Sequence, residues 1–172
     1  GYGKSEKVLG ALGVAQWELI SKLPTKTLYN VDVARWVHNS VKDSLKRLGV
    51  PHLYGLLLHD SHQLLGHNGE ELYQSLISLK EQQLVQKVGI SIYSPDELDL
   101  VLDKYEIDIV QAPFNVFDQR LVETGWLKCL HNRGIEVHTR SAFLQGLLLM
   151  DTDNRPEKFN KWSPQWQSWH EW

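Results

Sequence analysis

Short apolar runs alternate with helical patterns along almost the whole chain, and this alternation restricts the possible fold more than any other feature. The most apolar run, residues 53–58, ends abruptly at His59 and Asp60. Such a run is typical of a strand that is covered on both faces. The five expected strands cover residues 16–21, 53–59, 85–91, 107–111 and 135–141. Strict alternation predicts a parallel sheet, either open and doubly wound or closed into a (β/α)8 barrel.

The size of the chain and its glycine pattern favour the barrel. No Gly-x-Gly-x-x-Gly follows any of the expected strands, which counts against a dinucleotide-binding open sheet. A complete barrel needs about 250 residues, whereas this chain has 172 and begins with Gly rather than Met. We therefore expect an α/β fold that is a partial (β/α)8 TIM-type barrel, in one domain over residues 1–172. Both ends of the barrel are expected to be missing.

Several helix ends can be predicted from local signals. Asn30, Asn68 and Ser94 are each expected to cap the start of a helix, and Gly49 fits the position just after a helix end. A further helix is expected over about residues 120–133.

Two shorter helices are expected to use apolar side chains at their contacts. The first helix would pack through an apolar face formed by Val8, Leu9, Ala11 and Leu12. A tryptophan-rich loop and helix is expected over residues 151–172. Its stripe of Trp162, Trp166 and Trp169 predicts packing on the barrel wall or rim, or alternatively a substrate-pocket lining or a dimer contact.

Composition excludes several classes of partner. The net charge of −3 argues against nucleic acids and acidic membrane surfaces as partners. No apolar run approaches the roughly 18 residues of a membrane span. Cys129 is the single cysteine, which excludes an internal disulfide and suits the reducing cytoplasm. No pattern predicts an oligomeric state.

Polar side chains lie at the expected carboxyl ends of all five strands. These ends meet at one rim of a parallel barrel, where active sites are found. The five residues are Lys22, His59, Ser91, Gln111 and Arg140.

The residue types at this rim restrict the chemistry. No pair of carboxylates lies at the strand ends, which disfavours glycosidase chemistry, and His59, His62 and His67 lack the compact spacing of a metal site. Tyr2, Lys22 and His59 could instead converge. An ammonium group beside a phenol lowers the high pKa of the phenol, and a neutral imidazole can orient a carbonyl oxygen. Such a set suits protonation of an oxygen while a nicotinamide cofactor supplies hydride.

At this point the sequence resembles the aldo-keto reductases, which are NAD(P)H-dependent (β/α)8-barrel oxidoreductases, over residues 1 to about 150. The sequence motifs are most similar to those of bacterial members of the family. The resemblance is carried by Tyr2-Gly3-Lys4-Ser5-Glu6, Leu19-Ile20-Ser21-Lys22-Leu23, Ser44-Leu45-Lys46-Arg47-Leu48-Gly49-Val50, Leu56-Leu57-Leu58-His59, Val88-Gly89-Ile90-Ser91 and Val110-Gln111-Ala112-Pro113-Phe114-Asn115.

The resemblance implies catalytic roles for three residues and places the chain within the barrel. Tyr2 would be the general acid, Lys22 would lower its pKa, and His59 would orient the carbonyl of a small-molecule substrate. The catalytic Asp of the family would precede Gly1. The chain would contain approximately strands three to seven.

The resemblance also implies cofactor contacts, and NADP(H) is expected in preference to NAD(H). Ser91 and Gln111 match positions that contact the nicotinamide carboxamide, although Ile92 stands where the family commonly has Asn. Arg140 stands where an aromatic residue often stacks on the nicotinamide. Further implied cofactor contacts are Ser141, Phe143 and Gln145.

Two further readings remain open. The barrel could bind cofactor with little turnover and act as a binding or regulatory module, which Ile92 and Arg140 would favour. In addition, an isolated partial barrel would expose two sheet edges, which favours instability and aggregation. The 172-residue chain is expected to be inactive by itself, because the Asp of the family, two early strands and the phosphate-binding end would be missing.

Overall fold

Five parallel strands form one sheet in the order β1-β2-β3-β4-β5. This computed structural model describes residues 4–171. The strands are β1 (Ile20–Leu23), β2 (Leu53–Leu58), β3 (Val85–Ser91), β4 (Ile109–Pro113) and β5 (Glu136–Arg140). Every strand pairs with the next one along the chain, and parallel neighbours require a crossover between them. The predicted α/β alternation is therefore confirmed.

Helices lie between the strands and after the last one. The α-helices are α1 (Ser5–Leu12), α2 (Val33–Leu48), α3 (Gly69–Glu81), α4 (Glu97–Leu102), α5 (Arg120–Glu123), α6 (Trp126–Asn132) and α7 (Ser163–Glu171). Short 3-10 helices cover Ser61–Leu64, Leu144–Leu149, Thr152–Asn154 and Glu157–Trp162. Within residues 4–171, no helix combines the length and the apolar character that a membrane crossing requires.

The main core lies between the sheet and the helices that cover it. Leu56 and Leu58 of β2 are almost completely buried, and so are Val37 of α2 and Leu76 of α3. Each such side chain contributes about 1.5–3 kcal/mol by leaving water. Burial of alternate strand residues on this face leaves the other residues of each strand for the opposite face.

The opposite face carries the polar residues and is shaped by a close contact between strands. Residues opposite one another in register share a face, so Lys22 lies on the same face as Leu57 and Gly89. A Cβ atom on Gly89 would lie 2.1 Å from the carbonyl oxygen of Ile109. Only glycine therefore permits β3 and β4 to approach this closely.

The contacts of α1 differ from the expected apolar face. None of its described side chains is buried, and Leu12 is 75% exposed. Instead, Glu6 accepts hydrogen bonds from the Ser21 hydroxyl (2.6 Å) and from Arg47 Nε (2.7 Å). At Gly10, a Cβ would lie 2.2 Å from the Arg47 carbonyl oxygen. The prediction for α1 was wrong because polar contacts and a backbone approach, rather than apolar burial, join it to the sheet and to α2.

Helix α2 confirms its predicted end but not its predicted cap. Gly49 has φ 69° and follows the helix directly, as expected. The cap is Asp32, whose carboxylate accepts a hydrogen bond from the Arg35 amide at 2.9 Å. Asn30 instead adopts a positive φ of 52° in the preceding turn, so the prediction for Asn30 was wrong.

Other element boundaries also differ from the expected ones. Strand β4 continues through Pro113, because the following amide of Phe114 still donates to the Arg140 carbonyl (3.1 Å). The helix expected over 120–133 is two helices, since Gly125 has φ 79° between α5 and α6. Helix α4 begins at Glu97, later than expected from Ser94 as the predicted cap.

A polar cluster joins three strands near their amino ends. Lys87 of β3 donates hydrogen bonds to the Glu136 carboxylate of β5 and to the Tyr54 hydroxyl of β2. Tyr54 also donates to Glu136 at 2.5 Å, and His138 Nε2 lies 3.2 Å from the same carboxylate. Hydrogen bonds from Lys87 and then from Tyr54 lower the pKa of Glu136 to about 2.

We expect Glu136→Gln to lower the free energy of unfolding at pH 7 by roughly 1–2 kcal/mol, because it removes charge-assisted hydrogen bonds. The pKa of Glu136 is lower in the folded protein than its ordinary value, so this contribution is complete above about pH 4.5. It is lost as the pH falls towards about 2. Urea unfolding between pH 7 and pH 2.5 should therefore show the difference from wild type shrinking. Exposed Glu106 offers the matched control Glu106→Gln, and a pH-independent difference would contradict the assignment.

Gly10→Ala should destabilise the packing of α1 by about 1–3 kcal/mol, because the new methyl group meets main chain that cannot rotate away. Hydrogen exchange of the α1 amides should be faster in this variant. Gly66→Ala is the control, since a Cβ there would meet its nearest neighbour at an ordinary 3.6 Å. Unchanged hydrogen-exchange protection of α1 in Gly10→Ala would contradict this prediction, because it would show that α1 can move away from α2 without loss of stability.

Candidate functional site

Lys22 and Ser91 meet at the carboxyl rim of the sheet. Lys22 Nζ donates a hydrogen bond to Ser91 Oγ at 3.1 Å, across the intervening strand β2. Ser91 is only 2% exposed. Burial, and secondly the positive charge of Arg140, lower the pKa of Lys22. The ammonium group is thus a fixed hydrogen-bond donor whose charge is incompletely solvated.

His59 extends the same rim from β2. Its amide donates to the Leu23 carbonyl at 3.4 Å, so the pairing of β1 and β2 continues one residue beyond the strand. The imidazole forms no hydrogen bond with another described residue. Partial desolvation of the ring, followed by the charges of Lys22 and Arg140, lowers the pKa of His59. The ring is therefore neutral near pH 7 and can donate a hydrogen bond to a bound oxygen.

Arg140 reaches across the rim from β5 to the segment that follows β3. Its Nη2 donates to the carbonyl oxygen of Ile92 at 2.9 Å, and its guanidinium carbon lies 4.5 Å from the centroid of the Tyr93 ring. Its Nε is buried without a hydrogen-bond partner among residues 4–171. The guanidinium is held from two sides and still has a donor to offer.

The segment that holds Arg140 is itself fixed. The Glu97 carboxylate accepts hydrogen bonds from the Tyr93 amide (2.7 Å), the Ser94 amide (2.9 Å) and the Ser61 hydroxyl. Arg120 Nη2 donates to the Tyr93 carbonyl at 3.1 Å. Sequence reasoning missed Tyr93, because no local pattern pairs a loop tyrosine with a cation 47 residues later; the acidic residue at the start of α4 was the available signal.

Asn115 joins the ends of β4 and β5. Its Oδ1 accepts hydrogen bonds from the Phe117 and Asp118 amides (2.9 and 3.0 Å), and its Nδ2 donates to the Ser141 carbonyl at 3.2 Å. This buried side chain was also missed as a positioning residue.

Gln111 of β4 is the register partner of Ser91 of β3, so the two side chains lie on the same face of the sheet. The Gln111 side chain forms no hydrogen bond within the described part of the chain.

The residues after β5 turn away from the rim. Ser141, Leu144 and Gln145 have positive φ values of 58°, 47° and 58°, which residues other than glycine rarely adopt. Phe143 is 59% exposed. The structure therefore places Ser91, Gln111 and Arg140 at the ends of β3, β4 and β5, whereas Phe143 follows in an exposed position.

Ser141 and Gln145 line a cavity of about 580 Å³ beside the rim. Its other lining residues are Phe117, Leu144, Leu147, Phe159, Trp162, Gln165 and Trp166. The guanidinium carbon of Arg155 lies 4.3 Å from the centroid of a Trp166 ring. This cavity combines aromatic surfaces with amide groups.

The tryptophan stripe is only partly buried. Trp166 is 5% exposed and donates a hydrogen bond to the Phe159 carbonyl at 3.0 Å, whereas Trp162 is 41% exposed. Trp169 donates to the Leu148 carbonyl at 3.0 Å. Trp166 and Trp169 pack in a small separate core with Leu147 and Leu148.

A second cavity, of about 790 Å³, lies between α1 and the rim. Lys22, His59 and Tyr93 all contribute to its walls, together with Glu6 and Leu9 of α1. Tyr2, the expected general acid, lies outside the described residues. The residues that follow it, from Ser5 onwards, border the same cavity as Lys22 and His59.

The loop residue His62 lies beside two carboxylates, and its Nδ1 is 3.9 Å from that of Glu97. His62 Nδ1 lies 3.2 Å from the Asp60 carboxylate in an exposed pair. Within residues 4–171, no three His, Cys, Asp or Glu side chains gather in an arrangement that could hold a metal ion.

Comparison with known proteins gives a family match along nearly the whole chain. The model of the aldo/keto reductase family matches residues 1–171. Among curated proteins, the chain is 28% identical over 137 residues to the NADH-specific methylglyoxal reductase of Escherichia coli K12. That alignment covers 77% of this chain and 42% of the reductase, so the chain spans less than half the length of this relative.

Solved structures show the same fold. An aldo-keto reductase of Bacillus halodurans superposes with a TM-score of 0.70 at 23% identity, covering 88% of this chain and 50% of its own. The Gox0644 protein, solved in complex with NADPH, superposes with a TM-score of 0.65 at 20% identity, covering 94% of this chain and 56% of its own. The five-stranded sheet therefore corresponds to part of a (β/α)8 barrel, as expected.

Proposed function

The chain belongs to the aldo/keto reductase family, and we propose that the full-length protein reduces an aldehyde or ketone to an alcohol with NAD(P)H. The observation that carries the proposal is the Lys22–Ser91 hydrogen bond of 3.1 Å, formed beside a His59 ring whose pKa is lowered. A partly buried ammonium and a neutral imidazole at the carboxyl rim are suited to polarise and protonate a carbonyl oxygen.

We assign a role to each of three residues. His59 donates a hydrogen bond to the substrate carbonyl oxygen and fixes its direction. Tyr2 transfers its hydroxyl proton to that oxygen as the carbon is reduced. Lys22 stabilises the resulting phenolate, and its ammonium lowers the pKa of the Tyr2 hydroxyl towards neutrality. Ser91 orients Lys22 by accepting a hydrogen bond from Nζ.

The rim fits a nicotinamide cofactor, which supplies hydride to the carbonyl carbon when bound. Among the described residues, the Gln111 side chain forms no hydrogen bond and Arg140 Nε is buried without a partner, so both have polar groups available for a ligand. We assign these two residues and Ser91 to the nicotinamide end, and Ser141 and Gln145 to a more distant part of the cofactor; for exposed Phe143 we retain only the expectation from the family. NADP(H) is our preference, although one relative is named for NADH and another was solved with NADPH.

Small carbonyl compounds are the proposed substrates. Methylglyoxal, after which the curated relative is named, is the first compound to test. The single cysteine, Cys129, is free, which accords with our proposal of a cytoplasmic location.

A barrel that binds cofactor with little turnover is the second candidate. The specific observation in its favour is Arg140, whose guanidinium stands where relatives often place a stacking aromatic residue. A regulatory module of this kind would bind NADPH but would oxidise it with no carbonyl compound.

We expect Tyr2→Phe in the full-length protein to reduce kcat at least a hundredfold with methylglyoxal or another active carbonyl compound, because the proton donor is lost. NADPH binding, measured by fluorescence titration, should persist in that variant. Tyr29→Phe is the matched control, since Tyr29 is 77% exposed and does not line the cavity that Lys22 and His59 share.

Three outcomes separate the candidates. Turnover that falls in Tyr2→Phe but not in Tyr29→Phe supports the reductase. Cofactor binding without NADPH oxidation across a broad carbonyl panel supports the regulatory module instead. Absence of binding for both NADPH and NADH would refute both candidates.

A further inference from the structure

Two cations at the rim lack a carboxylate partner. Neither Lys22 nor Arg140 forms an ion pair with another residue in the described range 4–171. Asp118 lies close enough to be affected by Arg140, but both of its oxygens accept hydrogen bonds from Arg120 at 2.8 Å. As far as the described residues go, the rim therefore carries positive charge that no carboxylate neutralises directly.

Arg140 is the more rigid of the two cations. Its hydrogen bond to the Ile92 carbonyl and its stacking on Tyr93 fix the plane of the guanidinium. The Glu97 carboxylate in turn fixes the Tyr93 segment from the other side. These contacts hold the charge at the end of β5, where it acts on a ligand that binds there.

The two redox forms of a nicotinamide differ by one charge at the ring. The reduced ring is neutral and the oxidised ring is positive, while the phosphates and the rest of the cofactor carry the same charge in both. Any attraction of Arg140 for the phosphates therefore cancels when the two forms are compared. Only the repulsion between the guanidinium and the oxidised ring remains in the ratio of their affinities.

We propose that Arg140 makes the rim select the reduced cofactor over the oxidised one, so that the site favours carbonyl reduction over alcohol oxidation. This inference rests on the proposed reductase function and on the assignment of the nicotinamide to the rim. It gives a role to a cation in the position where a neutral aromatic ring would contribute stacking alone. The partly desolvated position of Arg140 strengthens the effect, because the repulsion is poorly screened there.

The test is the ratio of the dissociation constants of NADP⁺ and NADPH for the full-length protein, measured by quenching of tryptophan fluorescence. Arg140→Gln removes the charge but keeps a donor for the Ile92 carbonyl. Arg140→Lys keeps the charge but removes the planar stacking surface. We expect the ratio to fall on the order of tenfold in Arg140→Gln and to stay within about twofold of wild type in Arg140→Lys.

The other outcomes overturn the inference in distinguishable ways. If Arg140→Gln weakens the binding of NADP⁺ and NADPH equally, Arg140 contacts the phosphates or supports the fold and does not distinguish the two forms. Equal falls of the ratio in both variants would assign the effect to packing rather than to charge. If wild type binds neither form, the proposed function fails together with this inference, whereas an unchanged ratio overturns the inference alone.

Discussion

The geometry of the rim depends on the close approach of β3 and β4 at Gly89. A side chain there would collide with the Ile109 carbonyl oxygen and push β4 outwards. Since β5 pairs with β4, the displacement would pass on to Arg140. The guanidinium could then no longer reach the Ile92 carbonyl. A single missing Cβ within β3, two residues before Ser91, thus permits a contact at the carboxyl rim.

Much of the fold could be predicted because its signals are local and repeat along the chain. Apolar strands, helical spacing and the glycine after α2 all act within a few residues, and alternation converts them into a parallel sheet. The errors lie where tertiary contacts decide. Helix α1 is held by Glu6 and by a glycine against a carbonyl, and β4 passes through Pro113 because β5 still offers a partner beyond it.

The site shows the same division between local and tertiary information. Strand ends of a parallel sheet share one edge, so the convergence of Lys22, His59 and Ser91 follows from topology alone. The turn after β5 could not be read in this way. Ser141 and Gln145 have left-handed φ values and line a neighbouring cavity, and Asn115, which follows β4, donates a hydrogen bond to the Ser141 carbonyl. The stacking of Arg140 on Tyr93 likewise requires the folded chain.

The Lys87–Glu136 pair crosses β4 to connect strands that are not neighbours. Replacement of either partner alone would leave the other charge partly buried and without its ion-pair partner. Substitution at one position is therefore less costly when the other changes as well. Across an alignment of related sequences, positions 87 and 136 should vary together, and a lysine at one should disappear when the acid at the other does. Covariation of these two positions would thereby report a contact between two strands that do not pair directly in the sheet.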